Sequence, residues 1–420
     1  MHLTHRKSCR ICGSTSLRNV IDLGPQHLQG SFVKPGEPTP PLRRIPCVLV
    51  RCDPTADETA CGLLQMEHSV PPEILYYSYW YRSGTNQTMR DHLAGIVREV
   101  MKVRRRKTGA VLDIGCNDGT LLKNYPASWR KVGVDPSDIA QEIKGGIHVV
   151  QDVFPSAELK RRFPRLKFDV ITSVAMFYDL EDPVGFVRAI QESLAPDGIW
   201  VVEMSYMPSM LRMNSYDTIC HEHLEYYSLS VLENIFRRCG LKVARAELNP
   251  INGGSIRCYV VHDDCNAFHN HEWIAGLKQL RQDEFDLELD TDKPYKSFQD
   301  RMNLHRDELV TLLKKFTREG KRIHIYGAST KGNTILQWCN LDNRMIDYSA
   351  ERYPDKYGAF TLGTDIPIIS EAESRAMKPD YYLVLPWHFK EEFVRREKAM
   401  LDQGTGFIFP LPTIEVVKRK

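Results

Sequence analysis

Ala110-Val111-Leu112-Asp113-Ile114-Gly115-Cys116-Asn117-Asp118-Gly119 decides the fold: a short apolar strand runs into a glycine-rich turn. From Thr120 the pattern predicts an amphipathic helix whose first N–H groups stand free at that turn. Gly115 and Gly119 let the backbone come close to a ligand. Twenty residues beyond Gly115 a second strand, Val132-Gly133-Val134, ends in Asp135, whose carboxylate can accept both hydroxyls of a ribose. Strand, glycine turn and acid together describe a nucleoside site.

Which nucleoside follows from the turn itself. A dinucleotide turn wants Gly-x-Gly-x-x-Gly, with its middle glycine against a pyrophosphate, and here Asn117 holds that place. Asparagine tolerates left-handed backbone, so the turn survives while the pyrophosphate fits less well. Asp113 would repel a diphosphate and suits a cationic amino-acid moiety. Downstream, Val149-Val150-Gln151-Asp152-Val153-Phe154 brings an acid and an aromatic to a strand end, suited to an adenine, and Phe168-Asp169-Val170-Ile171-Thr172-Ser173 reads as the fourth strand. This succession resembles a class I S-adenosylmethionine-dependent methyltransferase, with Asp113, Gly115, Asn117, Gly119, Asp135, Asp152 and Phe154 expected around the cofactor. An NAD site, or a nucleotide fold with no ligand, are the competing readings.

A chain of 420 residues has room for two or three domains. With 56 basic against 54 acidic residues, net charge is +2, so no field favours nucleic acid or an anionic membrane. No apolar stretch approaches the roughly 20 residues of a bilayer span. Met1-His2-Leu3-Thr4-His5-Arg6-Lys7 lacks the apolar core of a signal peptide. A soluble cytoplasmic enzyme is expected, monomeric or a small homo-oligomer. Eleven cysteines, an odd number, argue against a disulfide framework. Six acids between Asp283 and Asp292 read as a solvated helix end and linker.

Cys9-Arg10-Ile11-Cys12-Gly13 is a Cys-x2-Cys knuckle, whose two thiolates can face one tetrahedral metal. The partner pair is Cys52 and Cys61, with a larger loop between them; closure entropy grows only slowly with loop length. Cys47 is an alternative ligand, and a degenerate site with free thiols is the bland reading. Four thiolates would make the zinc structural, since no position stays open for chemistry. Pro25 to Pro46 is proline-rich and expected to be extended.

After the buried strand Ile199-Trp200-Val201-Val202-Glu203 comes Tyr216-Asp217-Thr218-Ile219-Cys220-His221-Glu222-His223-Leu224-Glu225-Tyr226-Tyr227. This block follows a strand end, the ligand side of an open parallel sheet. Histidine can move a proton near neutral pH, and a neighbouring carboxylate can orient it. On residues alone three readings stay open: acid–base catalysis, a metal pair of His221 and His223, and a satisfied buried polar network.

The order of parts resembles the sugar C-methyltransferases, which act on nucleotide-linked deoxy-ketosugars in antibiotic and surface-polysaccharide pathways. Further motifs carry this resemblance: Cys61-Gly62-Leu63-Leu64-Gln65, Tyr81-Arg82-Ser83-Gly84-Thr85, Phe177-Tyr178-Asp179-Leu180-Glu181-Asp182-Pro183, Asn252-Gly253-Gly254-Ser255, Tyr326-Gly327-Ala328-Ser329-Thr330-Lys331-Gly332-Asn333 and Leu385-Pro386-Trp387-His388-Phe389. The resemblance implies a base that removes a proton beside a ketone, the enolate then taking the methyl group. The family's Tyr-x-Glu-His aligns with Cys220-His221-Glu222-His223, so His223 inherits the base role and Glu222 a supporting one. Cys220 stands where the family has tyrosine, and a thiol is a poorer donor than a phenol. Tyr81, Tyr216 and Tyr226 are the candidates to replace it. Two rivals remain: an O- or N-methyltransferase, and a non-catalytic zinc-containing binding protein.

In the last third, Leu304 to Phe316 has the apolar spacing of an amphipathic helix. Arg322-Ile323-His324-Ile325-Tyr326 then opens a second strand–turn–helix, with Ile346-Asp347-Tyr348, Ile366-Pro367-Ile368-Ile369 and Tyr381-Tyr382-Leu383-Val384-Leu385 as further strands. The loop chemistry suits a diphosphate, and Asn252, Ser329, Thr330, Lys331 and Asn333 are the expected substrate contacts; a Rossmann-like domain used only for packing is the alternative. The expected architecture is α/β: a zinc-binding region over 1–75, a central Rossmann-like class I methyltransferase domain over 76–245 and a second Rossmann-like domain over 246–420.

Overall fold

The computed structural model describes residues 3–37, 43–75, 82–268 and 270–419. The strand Gly109–Ile114 lies mid-sheet between two parallel neighbours, Phe168–Val174 and Trp129–Val134, which explains its unbroken apolar run. Trp129–Val134 in turn pairs with Ile147–Val150, and Phe168–Val174 with Leu194–Ser205. Beyond the latter comes Ser255–His262, antiparallel, and then Leu241–Asn249 at the edge. In chain order the seven strands therefore lie 3-2-1-4-5-7-6, with only the seventh reversed. This is the class I methyltransferase sheet. The helix Gln87–Arg104 covers one face with Leu93, Ile96 and Val100, while Pro183–Ser193 and Leu229–Arg238 cover the other.

Two expectations need correction here. The helix predicted from Thr120 is only a 3-10 turn over Leu122–Asn124. Pro126 holds Tyr125 extended (ψ 145°), and the next strand begins at Trp129. No helix start therefore faces the glycine turn. The strand Leu241–Asn249 runs across position 245/246, and Ser255–His262 threads back between it and Leu194–Ser205. The acidic run is not all solvated either. Buried Glu284 accepts from the N–H groups of Leu229 and Ser230 and from Tyr206 Oη, and Asp292 pairs with buried Arg51 at 3.0 Å.

The C-terminal sheet, Ile323–Tyr326, Tyr348–Glu351, Ile368–Ser370, Tyr381–Val384, Gly406–Phe409 and Glu415–Val417, has the order 3-2-1-4-5-6 with the last strand antiparallel. It is a doubly wound, Rossmann-like arrangement. The expected helix is much longer, Lys293–Arg318, and the second strand starts later than foreseen, at Tyr348.

At the front, Leu17–Gln26, Ile45–Cys52 and Leu64–Met66 form a small antiparallel sheet. Its fourth strand, Glu225–Tyr226, comes from the histidine block, with Glu225 opposite Gln65 and Tyr226 opposite Leu64. The N-terminal region is thus hydrogen-bonded to the segment expected to do the chemistry. Among the described residues no helix is long and apolar enough to cross a membrane.

Candidate active site

The glycine turn follows its sequence reading closely. Gly115, Asn117 and Gly119 all have positive φ (71°, 49° and 73°), the region where glycine and asparagine are tolerated. Gly115 N–H donates to Val134 O at 2.8 Å. Asp135 takes Asn117 N–H on one carboxylate oxygen and Ser137 N–H on the other, both at 2.8 Å, and the Ser137 hydroxyl donates to it as well. Residues 82–86 lie across the turn: Ser83 N–H donates to Asn117 Oδ1 (2.9 Å) and Gly84 N–H to Asp118 (2.7 Å). Tyr81, just before them, lies outside the described residues.

Asp113 is buried, and burial pushes its carboxyl up to about 7, against a hydrogen bond from Thr172 Oγ1 at 2.5 Å. Among the described residues no cation pairs with it. A buried carboxyl lacking a cation fits the α-ammonium of S-adenosylmethionine. At the third strand's end Asp152 accepts from Ser156 Oγ and Val153 N–H. Phe154 turns into the core against Phe186, 5.0 Å between ring centroids; the exposed apolar side chain there is Val153, at 62 %. The residue expected to stack on adenine therefore packs inward, since past the strand Ile147–Val150 the chain buries Phe154 and leaves Val153 exposed.

The four expected cysteines converge. Cys9, Cys12, Cys52 and Cys61 bring their sulfurs within 4.8 Å of one another, with Cys9–Cys61 and Cys12–Cys52 each at 3.5 Å. A tetrahedral zinc with bonds of about 2.3 Å requires S···S edges of roughly 3.8 Å. The set fits zinc. Cys47 is not part of it: it sits in the core, 3.9 Å from Gln29 Nε2. Between the first two ligands, buried Arg10 reaches Met66 O (2.9 Å), Ser69 Oγ (2.7 Å) and the Glu225 carboxylate (3.4 Å). The metal knuckle is thereby coupled to the histidine block.

His223 lies at the junction of all three regions. Its Nδ1 contacts Thr218 O at 2.7 Å, and a carbonyl only accepts, so Nδ1 carries the proton and Nε2 keeps its lone pair. Burial, aided by nearby Lys331, lowers its pKa to about 3, leaving it neutral at pH 7. Tyr178 packs on the ring, 4.4 Å between centroids. Tyr178 belongs to the loop that starts with Met176 against Gly115, so one short loop joins the imidazole to the cofactor turn. A cavity of about 10 Å³ borders His223, Tyr178, Ser205, Thr218, Glu225 and Tyr226, room for a single water. The Ser205 and Tyr226 hydroxyls are buried and unpartnered among the described residues.

The rest of the block separates into roles. His221 faces away, its Nδ1 2.7 Å from Gln29 Oε1, so the two histidines do not form a metal pair; among the described residues they share no metal-capable cluster. Glu222 lies against Gly30, where an added Cβ would collide with its carboxylate. Burial raises the pKa of Glu222, and that of Cys220 more strongly. Of the candidate tyrosines, Tyr216 meets His305 at 3.0 Å, inside the C-terminal core; Tyr226 is the one bordering the cavity.

Lys331 is half-buried, donates to Asn252 O at 2.8 Å and faces Asp217, His223 and His388. Asn252 contributes its carbonyl rather than its side chain. Ser329 caps its own helix through Gly332 N–H (3.1 Å), and Asn333 donates to Gln29 O (2.6 Å), while its Oδ1 is buried and unpartnered among the described residues. Thr330 lies beside Gly30 and Glu222. Sequence reasoning missed Tyr178, Thr218, Asp217 and His388. Burial pushes His388 down to about 3, again with Lys331 nearby, and Asp217 accepts from Trp387 Nε1 at 2.9 Å. The motif Leu385-Pro386-Trp387-His388-Phe389 was the available signal, without any hint of which wall it would reach.

Comparison with known proteins accounts for nearly the whole chain. Three family models match it in succession: a zinc binding domain over residues 9–76, a methyltransferase domain over 86–246 and a C-methyltransferase C-terminal domain over 250–412. C-methyltransferase NovU of Streptomyces niveus is 27% identical over 419 residues, 97% of this chain and 96% of that protein. Ubiquinone biosynthesis O-methyltransferase of Ralstonia nicotianae is 26% identical over 178 residues, 36% of this chain and 71% of that one. A solved S-adenosylmethionine-dependent methyltransferase from Clostridium acetobutylicum aligns with 45% of this chain and 95% of its own at 12% identity, TM-score 0.33. The chain thus matches, in order, models of a zinc binding domain, a methyltransferase domain and a C-methyltransferase C-terminal domain, and over nearly its full length it is similar to a C-methyltransferase.

Proposed function

We propose that this protein transfers a methyl group to the carbon beside the ketone of a nucleotide-linked keto-deoxysugar, a thymidine-diphosphate sugar being the expected form. The observation supporting it most is the state of His223: neutral, tautomer held by Thr218 O, and Nε2 lone pair free where three regions meet. When bound, S-adenosylmethionine supplies an electrophilic methyl group. His223 Nε2 takes the proton from the acceptor carbon, and the electron pair left there forms the new C–C bond as the methyl–sulfur bond breaks. Removing water from this junction strengthens every fixed charge that faces the enolate. The buried, unpartnered Tyr226 hydroxyl is available to the enolate oxygen in place of the tyrosine missing at Cys220. Lys331 suits the anionic side of the substrate, and a diphosphate against it would cancel part of what makes His223 a weak base.

Isotope exchange tests this. In heavy water, without S-adenosylmethionine, wild-type protein should exchange the acceptor-carbon hydrogen of a thymidine-diphosphate keto-deoxysugar. His223→Ala should not, while binding S-adenosylhomocysteine normally. Methyl transfer by a wild-type protein that gives no exchange would point to oxygen or nitrogen as the acceptor and sink the carbon assignment.

A further inference from the structure

Between the strands Leu64–Met66 and His68–Ser69 the chain bends at Glu67, which interrupts the in–out alternation of a continuous strand. Glu67 and His68 thereby present their side chains to the same neighbour, the short strand Thr4–His5. That strand runs antiparallel to His68–Ser69, with His5 directly opposite His68, and Arg6 N–H donates to Glu67 O at 2.8 Å. The two imidazoles stack, 5.0 Å between centroids and 20° between planes. His5 Nε2 lies 3.6 Å from one Glu67 oxygen, and His68 Nδ1 lies 3.4 Å from the other.

These separations are too long for hydrogen bonds, whose N···O distances run to about 3.2 Å. His68 Nδ1 is buried and has no hydrogen-bond partner among the described residues. Among those residues no lysine or arginine pairs with Glu67 either; its ionic neighbours are the two histidines. The spacing matches a coordination polyhedron instead. Zinc with bonds of about 2.0–2.1 Å to nitrogen and oxygen sets tetrahedral ligand–ligand edges of roughly 3.3–3.4 Å. One ligand atom from each of His5, Glu67 and His68 lies within 4.8 Å of the other two.

The geometry points to a metal site formed by His5, Glu67 and His68, separate from the four cysteines and suited to a divalent transition ion of the zinc class. Two imidazoles favour zinc, cobalt, nickel or copper over magnesium and calcium, which take oxygen ligands. Three protein ligands leave a coordination position to water, and the His5 side chain is 54 % exposed, so the ion would exchange with solvent. Binding would clamp the first strand of the chain to the segment whose Met66 N–H donates to Leu224 O at 2.9 Å, next to His223.

The test adds cobalt(II) to the full chain already loaded with zinc at its cysteines. Cobalt held by nitrogen and oxygen gives visible ligand-field absorption without the intense ultraviolet band of thiolate-to-cobalt charge transfer. Wild-type protein should show the first without the second; excess zinc should displace the cobalt, and excess magnesium should not. Glu67→Gln and His68→Ala should each weaken cobalt binding by more than the roughly ten- to hundred-fold that loss of an outer-shell partner costs. S-adenosylhomocysteine should bind both variants as it binds wild type, which reports a native fold. The wild-type measurements stand even where a variant does not fold. No retained cobalt, uptake only with the charge-transfer band, displacement by magnesium, or equal retention by folded variants each overturns the site.

Discussion

Replacing Asp113 by asparagine should stabilise the empty protein and cripple it as an enzyme. Burial raises this carboxyl from its ordinary 3.8 to about 7. Between those values the folded chain keeps a proton that the unfolded chain releases. Stability therefore falls as pH rises through that window, by about 1.4 kcal/mol per unit and roughly 4 kcal/mol in all. Asparagine has no charge to bury, and its Oδ1 can still accept from Thr172 Oγ1. Without ligand, Asp113→Asn should thus match wild type near pH 4 and exceed it by about 4 kcal/mol at pH 8, read as a shift in urea midpoint at constant m. S-adenosylhomocysteine, which retains the ammonium, should bind the variant at least about thirty-fold more weakly, since a charge pair is lost. At pH 6 ligand binding should also expel the Asp113 proton from wild type, making its heat depend on the buffer, and not from the variant. Coincident urea curves at pH 8, or unchanged ligand affinity, would refute the reasoning.

Stripping zinc with a strong chelator should lower the unfolding temperature and abolish turnover while S-adenosylhomocysteine still binds, because Arg10 carries the disturbance to Glu225 and the histidine block; full turnover after verified metal loss would contradict this. Glu284→Ala should reduce the unfolding free energy by about 3 kcal/mol, leaving three donors unmet, the N–H groups of Leu229 and Ser230 and the Tyr206 hydroxyl. Equilibrium denaturation measures it, and a loss under 1 kcal/mol would mean the helix start is satisfied otherwise. Since His223 in the free protein titrates near 3 rather than 6.5, its protonation should not depress kcat/KM until well below pH 5. Lys331→Met should move that limb upward, and a wild-type limb at 6.5 would show the imidazole to be solvated.

Much of the molecule was legible before any coordinates. Gly115, Asn117 and Gly119 announced positive φ, because only those residue types accept it without strain, and the acid at 135 followed from the length of one strand–turn–strand unit. The four cysteines were readable because thiolate spacing is a local property. Local grammar also misled: Thr120 onward has helical composition, yet Pro126 and a strand at Trp129 leave room for one turn.

What only the tertiary structure decided concerns which groups meet. Periodicity cannot say that residue 154 points inward and 153 outward, that Glu284 caps a helix start, or that a strand of the histidine block completes the N-terminal sheet. The state of His223 depends on a carbonyl five residues away and on a lysine more than a hundred residues away, and its basicity is an effect of burial that no linear string of letters expresses. Sequence dictates where chain can turn and which atoms can ionise; whether they do is set by the solvent that packing removes and the charges it brings close.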